Sequence, residues 1–241
     1  MIESRSYGEI LRLDELLKMQ EPVADVHDAL FFIAVHQVYE LWFLVLLHDL
    51  EGARDAMLAD DPHGAIARLR RVHAVERVLV EQVATLETIS PSDFAKIRCA
   101  LGDSSGMQSV QFREIEFISG LKDPGYLDRA HLSRSEQRRV ARRLSEPDLW
   151  DAFVAILGHS DVAGLSELIG EGRGCVLADL AEALLGHDQG LALWRARHAQ
   201  MVERMIGYGP GTGGSSGVDY LRTTLFKRFY PALWAVRTTG T

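Results

Sequence analysis

Arg197-His198 stands on a helical stretch and is followed by Gly211-Thr212-Gly213-Gly214-Ser215-Ser216-Gly217, with only 24 residues after the run. A flexible linker needs a domain on its far side, and so short a remainder cannot bury a core of its own, so the run reads as a loop that wraps a ligand. It lacks the lysine of a phosphate-binding P-loop and follows a helix instead of a strand, which argues against a nucleotide. Closely spaced glycines let backbone N–H groups approach a ligand, and Thr212 adds a hydroxyl. His198 has Trp194, Met201 and Met205 near it at helical spacing. Haem iron can be held by a single helical histidine, and no HExxH or paired His/carboxylate cluster competes. By spacing alone this is one reading of His198 among several.

Two further islands could carry chemistry. His36 lies in Phe32-Ile33-Ala34-Val35-His36-Gln37-Val38-Tyr39-Glu40-Leu41-Trp42-Phe43, one helical turn after Phe32 and therefore on its face. Such a histidine is either a hydrogen-bonded core residue or the source of one directed hydrogen bond to a ligand. Arg98 precedes Ser104-Ser105-Gly106-Met107-Gln108-Ser109. A guanidinium beside a Ser/Gly turn suits bidentate capture of a carboxylate, and it suits equally well pairing with a glutamate or capping a helix end.

The elements that must position these residues read as helices. Apolar residues from about Asp25 to Leu58 recur at three- and four-residue steps, and a second such stretch runs from about His63 to Thr88. Ser92 is the expected N-cap of a helix over Phe94 to Leu101, another begins near Ser109, and Ser133 with Glu136 has capping-box spacing. Pro147 restarts a helix near Trp150, and a long one spans Val176 to Ile206. Strand-like alternation is absent, so the expected fold is an all-α, single-domain helical bundle over residues 1–241.

With 241 residues, 47% of them hydrophobic, the chain can build one large core. A net charge of −8 argues against a nucleic-acid binder. Arg138, Arg139, Arg142 and Arg143 read as the solvated face of a helix. Cys99 and Cys175 form no metal or disulfide framework, so a reducing cytoplasm is expected. His36, Gln37 and Glu40 interrupt the most apolar stretch, so no membrane span is expected.

Taken in order, these islands resemble the tryptophan 2,3-dioxygenase family, haem enzymes that open the indole ring of tryptophan. The resemblance rests on Tyr7-Gly8-Glu9-Ile10-Leu11-Arg12-Leu13-Asp14, His27-Asp28 through Phe43, Ile97-Arg98 through Arg113, Trp194-Arg195-Ala196-Arg197-His198 through Arg222, and Phe229-Tyr230-Pro231-Ala232-Leu233-Trp234. It implies haem b, with His198 as the proximal iron ligand and His36 as the distal catalytic residue facing the indole N–H. It puts Phe32 against the indole, Arg98 on the substrate carboxylate, Ser105 beside the haem edge and Thr212 at the substrate's amino-acid end. Tyr7 and Leu11, in an N-terminal segment over residues 1–20, match positions that reach from a neighbouring subunit, which implies a homotetramer.

The implied reaction inserts dioxygen across C2–C3 of L-tryptophan or a substituted tryptophan to give an N-formylkynurenine-type product. The alternatives are a haem-dependent monooxygenase of a tryptophan derivative and a non-catalytic haem- or indole-binding protein. The chain departs from the family pattern at Ile10, where the bacterial enzymes usually carry tyrosine, at Met107 for phenylalanine, and at Leu44 for lysine. The stretch between Gly120 and Cys175 resembles the family weakly.

Overall fold

The computed structural model describes residues 5–129, 132–158, 175–211 and 216–239, and every regular element among them is helical. In chain order these are α1 (Tyr7–Leu11), α2 (Leu13–Leu16), α3 (Asp28–Leu58), α4 (Pro62–Leu86), α5 (Pro91–Leu101), a 3-10 turn at Gly106–Gln108, α6 (Val110–Ile118), α7 (Tyr126–Arg129), α8 (Arg134–Ser145), α9 (Leu149–Leu157), α10 (Val176–Ile206), α11 (Val218–Thr224) and α12 (Pro231–Thr239). The chain therefore has the all-α architecture expected of it.

The central element is α3. Its stripe of Phe32, Val35, Tyr39, Phe43, Leu46 and Leu50 is buried, and the helix packs on α4, α6 and α9. By length and composition alone α3 could cross a membrane. In this fold its apolar stripe forms part of the core instead.

Local chemistry sets where the helices begin. Ser109 Oγ accepts the Phe112 N–H at 3.2 Å, which starts α6 where spacing expects it. The Ser133 and Glu136 capping box is formed in full. At α5 the cap is Ser90, not Ser92: Ser90 Oγ accepts the Asp93 N–H at 3.1 Å, because Pro91 occupies the first helical position and puts the cap immediately before it.

In the arginine cluster on α8, Arg138, Arg139 and Arg142 are exposed as expected, and Arg143 differs. Arg143 is only 2% exposed and pairs with Glu51 on α3, Glu114 on α6 and Glu146, while Arg139 pairs with Glu114. A guanidinium is buried only where carboxylates offset its desolvation. Here Glu51 and Glu114 come from other helices, which spacing within α8 does not reveal.

Helices α4 and α10 meet at close range through glycines. A Cβ on Gly190 would lie 2.3 Å from Glu76 Oε2, and one on Gly186 would lie 2.8 Å from the His73 ring. Replacing Gly190 by alanine is expected to destabilise the fold by roughly 1–3 kcal/mol through overpacking, read as a lower urea midpoint.

Between those helices the His187 ring meets Glu76 Oε1 at 2.6 Å through Nδ1 and Ser119 Oγ at 2.8 Å through Nε2, all of it buried. Next to it, Asp188 Oδ2 accepts the backbone N–H groups of Phe229 and Tyr230 at 3.0 and 3.3 Å and the indole N–H of Trp234 at 2.8 Å. The start of α12 is thereby tied to α10 by a carboxylate on another helix.

Candidate active site

A cavity of about 830 Å³ opens among α3, α5, α6 and α10, a size suited to a cofactor or small ligand. Phe32, His36, Arg98, Ser105 and His198 all line it, as do Gly211 and Gly217 of the glycine-rich segment. Thr212 lies outside the described residues.

On α3, His36 Nδ1 lies 2.7 Å from the carbonyl oxygen of Phe32 one turn earlier. A carbonyl only accepts, so Nδ1 carries the proton and Nε2 keeps its lone pair. Burial lowers the pKa of His36, partly opposed by the Phe32 carbonyl and by Glu40, so the ring is neutral near pH 7. Its ring centroid is 4.1 Å from that of Phe32, and Phe32 in turn meets Phe94 of α5 at 6.3 Å. Phe94 thus joins an apolar wall that the sequence reading missed. The available signal was its position four residues before Arg98, on the same face of α5.

Arg98 bridges α5 to the glycine-rich segment: its Nη2 donates to the Pro210 carbonyl at 2.7 Å. At the far end of that segment Gly217 has φ +67°, and a Cβ there would sit 2.5 Å from the Gly209 carbonyl oxygen. Only glycine closes the segment in this way.

On α10, His198 lines the same cavity. Trp194, one turn earlier, stacks on it with centroids 5.2 Å apart and planes 12° from parallel, and Phe112 and Phe43 wall off the indole. Desolvation, with a smaller contribution from His36, brings the His198 pKa down to about 4. The imidazole is neutral, and among the described residues neither ring nitrogen makes a hydrogen bond. Among the described residues, no group of three or more His, Cys, Asp or Glu side chains could cage a bare metal ion. A lone neutral imidazole is the donor that an iron already held in a macrocycle requires.

Tyr7 and Leu11 do not line this cavity and are 75% and 45% exposed. Leu16, Met19 and Gln20 of the same segment do line it. The Gln20 side-chain amide donates to Gln37 Oε1 at 2.8 Å, and Gln37 donates to the Met19 carbonyl at 3.0 Å.

The depressed histidines have a consequence for the cofactor-free chain. His198, His36 and His73 all bind protons more weakly in the fold than their ordinary value of 6.5. The unfolded chain takes up protons first, so the stability is present above about pH 6.5 and is lost as pH falls toward about 4. His198 alone is expected to account for on the order of 2–3 kcal/mol of that loss. Urea unfolding from pH 7.5 to 4.5 checks it: the dependence flattens in His198→Phe, and an unchanged slope contradicts the assignment.

The sequence model of the tryptophan 2,3-dioxygenase family matches residues 2–147 and 166–239. The unmatched break falls within the weakly resembling stretch. The chain is 49% identical to a protein named tryptophan 2,3-dioxygenase from a Nocardioides species, over 96% of this chain and 93% of the relative. It is 39% identical to the protein of that name from Herpetosiphon aurantiacus, over 98% and 99% of the two chains. Against the one from Caulobacter vibrioides it is 37% identical over 99% of each.

Proposed function

The chain belongs to the tryptophan 2,3-dioxygenase family and is an enzyme of that type, and from that premise we propose that it uses haem b to add dioxygen across the C2–C3 bond of L-tryptophan. One observation carries the reading for this chain: two neutral histidines on different helices, His36 and His198, line one cavity that also contains an aromatic wall and an arginine. The residues fit the cofactor, since His198 has an uncommitted lone pair, an aromatic partner in Trp194 and a cavity of suitable size. When bound, the haem supplies the activation of dioxygen; the protein supplies binding, orientation and electrostatics.

In this reading His198 is the iron ligand and Ser105 sits at the cofactor's edge. Phe32, with Phe94 behind it, takes the indole ring. The Phe32 carbonyl holds the His36 proton on Nδ1, so Nε2 is left to accept the indole N–H. Arg98 receives the substrate carboxylate, a charge-assisted pair stronger than its present bond to the Pro210 carbonyl. Thr212 serves the amino-acid end. Held at both ends, the indole has its C2–C3 bond fixed in place while the cavity walls exclude water.

Tyr7 and Leu11 would complete a neighbour's pocket in a homotetramer of single-domain, cytoplasmic subunits. Their exposure in the isolated chain supports this. Ile10, 59% exposed on the same short helix, would then shape the wall met by substituents on the substrate.

The test is anaerobic reduction followed by L-tryptophan and labelled dioxygen, with mass analysis of the product. Gain of both labelled atoms is expected. A product with one added atom favours the monooxygenase reading, and full haem occupancy with no product favours a binding protein. His36→Ala is expected to keep the haem spectrum while lowering kcat about 10²-fold, the lower end of what a positioned acid–base group contributes. Unchanged turnover would remove His36 from the reaction.

A further inference from the structure

The cavity wall holds two arginines besides Arg98. Arg113 and Arg195 both line the cavity, and both pair with a single carboxylate, Glu116: Arg195 Nη2 meets Oε1 at 2.9 Å, and Arg113 Nη1 meets Oε2. Arg195 is 4% exposed and Glu116 3%. Two guanidiniums therefore share the Glu116 carboxylate in a desolvated setting. Three N–H groups, Nε and Nη1 of Arg195 and Nε of Arg113, are buried without a hydrogen-bond partner among the described residues.

Nearby groups do not close that deficit. Asp188 interacts favourably with Arg195, and its Oδ1 is likewise buried without a partner among the described residues, but its Oδ2 is occupied by the three N–H donors at the start of α12 and no hydrogen bond joins the two side chains. The remaining neighbours are aromatic: Arg195 stacks over Phe229 at 5.2 Å, and Arg113 lies 5.3 Å from the Phe112 ring centre and 5.7 Å from that of Tyr126. Among the described residues lining the cavity, Arg98, Arg113 and Arg195 stand against Glu40 and Glu116, an excess of positive charge in a chain whose net charge is −8. Buried donors left unsatisfied cost free energy until an acceptor arrives, and a guanidinium fork is shaped for a carboxylate.

We infer that the Arg113–Glu116–Arg195 cluster is a receiving site for a carboxylate of the cavity's larger occupant, separate from the Arg98 station that takes the amino acid. The inference rests on the haem reading above, since haem b brings two propionate carboxylates on one edge of its ring. In that case the cluster sets which way the cofactor's carboxylate edge faces, while His198, one turn beyond Arg195 on α10, holds the iron. Arg195 and His198 are three residues apart on one helix, so one rigid element bears on both the metal and the rim.

The test compares reconstitution of the full-length apoprotein with haem b and with its dimethyl ester, which keeps the iron and ring but has no free carboxylates. Soret titration gives a Kd for each, and circular dichroism checks folding. The wild type is expected to bind haem b about 10- to 100-fold more tightly than the diester, the range that charge-assisted hydrogen bonds provide. Arg195→Gln and Arg113→Gln are expected to bring that ratio toward one by weakening haem b alone. Arg113 is the more exposed of the two and supplies the measurement if Arg195→Gln fails to fold. Equal affinity of the wild type for both compounds overturns the inference and leaves the haem reading intact. Retention of the full preference in Arg113→Gln also overturns it, and assigns the unpartnered donors to internal water. No Soret band with either compound removes the haem reading itself.

Discussion

Replacing His198 by alanine is expected to yield a folded helical protein that retains no haem. The imidazole sits where desolvation already keeps it neutral, and among the described residues it makes no competing hydrogen bond, so its lone pair is free for iron. Its loss removes the only histidine among the described residues of α10 that lines the cavity, and with it the ring stacked on Trp194. The check is the Soret absorbance of protein purified after haem feeding, with helicity followed by circular dichroism. Full occupancy in His198→Ala would place the iron ligand elsewhere, and His36 would be the residue to replace next.

The second large effect belongs to Arg98. Arg98→Ala is expected to leave the haem band unchanged and to weaken L-tryptophan binding by roughly 2–5 kcal/mol, the cost of removing one partner of a desolvated charge pair. It also removes the bond to the Pro210 carbonyl, so part of the loss comes from a less constrained glycine-rich segment. Substrate titrations of the ferric protein and the dependence of rate on tryptophan concentration separate the two contributions. A pure rise in KM marks loss of uniform binding, and a fall in kcat marks misplacement of the indole. Equal haem loss in the Arg98 and His198 variants would contradict the separation of roles.

Much of the architecture was legible because helix signals are local. The spacing of Phe32, Val35, Tyr39, Phe43, Leu46 and Leu50 marks the buried face of α3, and Val176 to Ile206 is recovered with both ends correct. The shift of the α5 cap from Ser92 to Ser90 is a local matter too, decided by Pro91. What spacing misses is partnership at long range. Arg143 looks solvated until Glu51 and Glu114 arrive from α3 and α6, and Arg113 and Arg195 come together only through Glu116. The site divides in the same way. Residue type and spacing single out His36, Arg98 and His198, the family resemblance adds the roles of Phe32 and Ser105, and the fold brings all five to one cavity. Phe94 escaped notice because an aromatic residue on a short helix looks like ordinary core.

The glycine-mediated seam between α4 and α10 has a bearing on the order in which the molecule is made. Helices α3 and α4 are neighbours in sequence and can pair as soon as they leave the ribosome, burying much of the core before the second half of the chain exists. His36 is then in place, facing a cavity with one side missing. The other side comes only when α10 docks its Gly186 and Gly190 against His73 and Glu76, bringing His198 with it. Clasping of the start of α12 by Asp188 needs Phe229 and Tyr230, which lie later in the sequence still. In the proposed reading, haem capture therefore waits for α10, and a nascent fragment that stops short of it would carry His36 without His198.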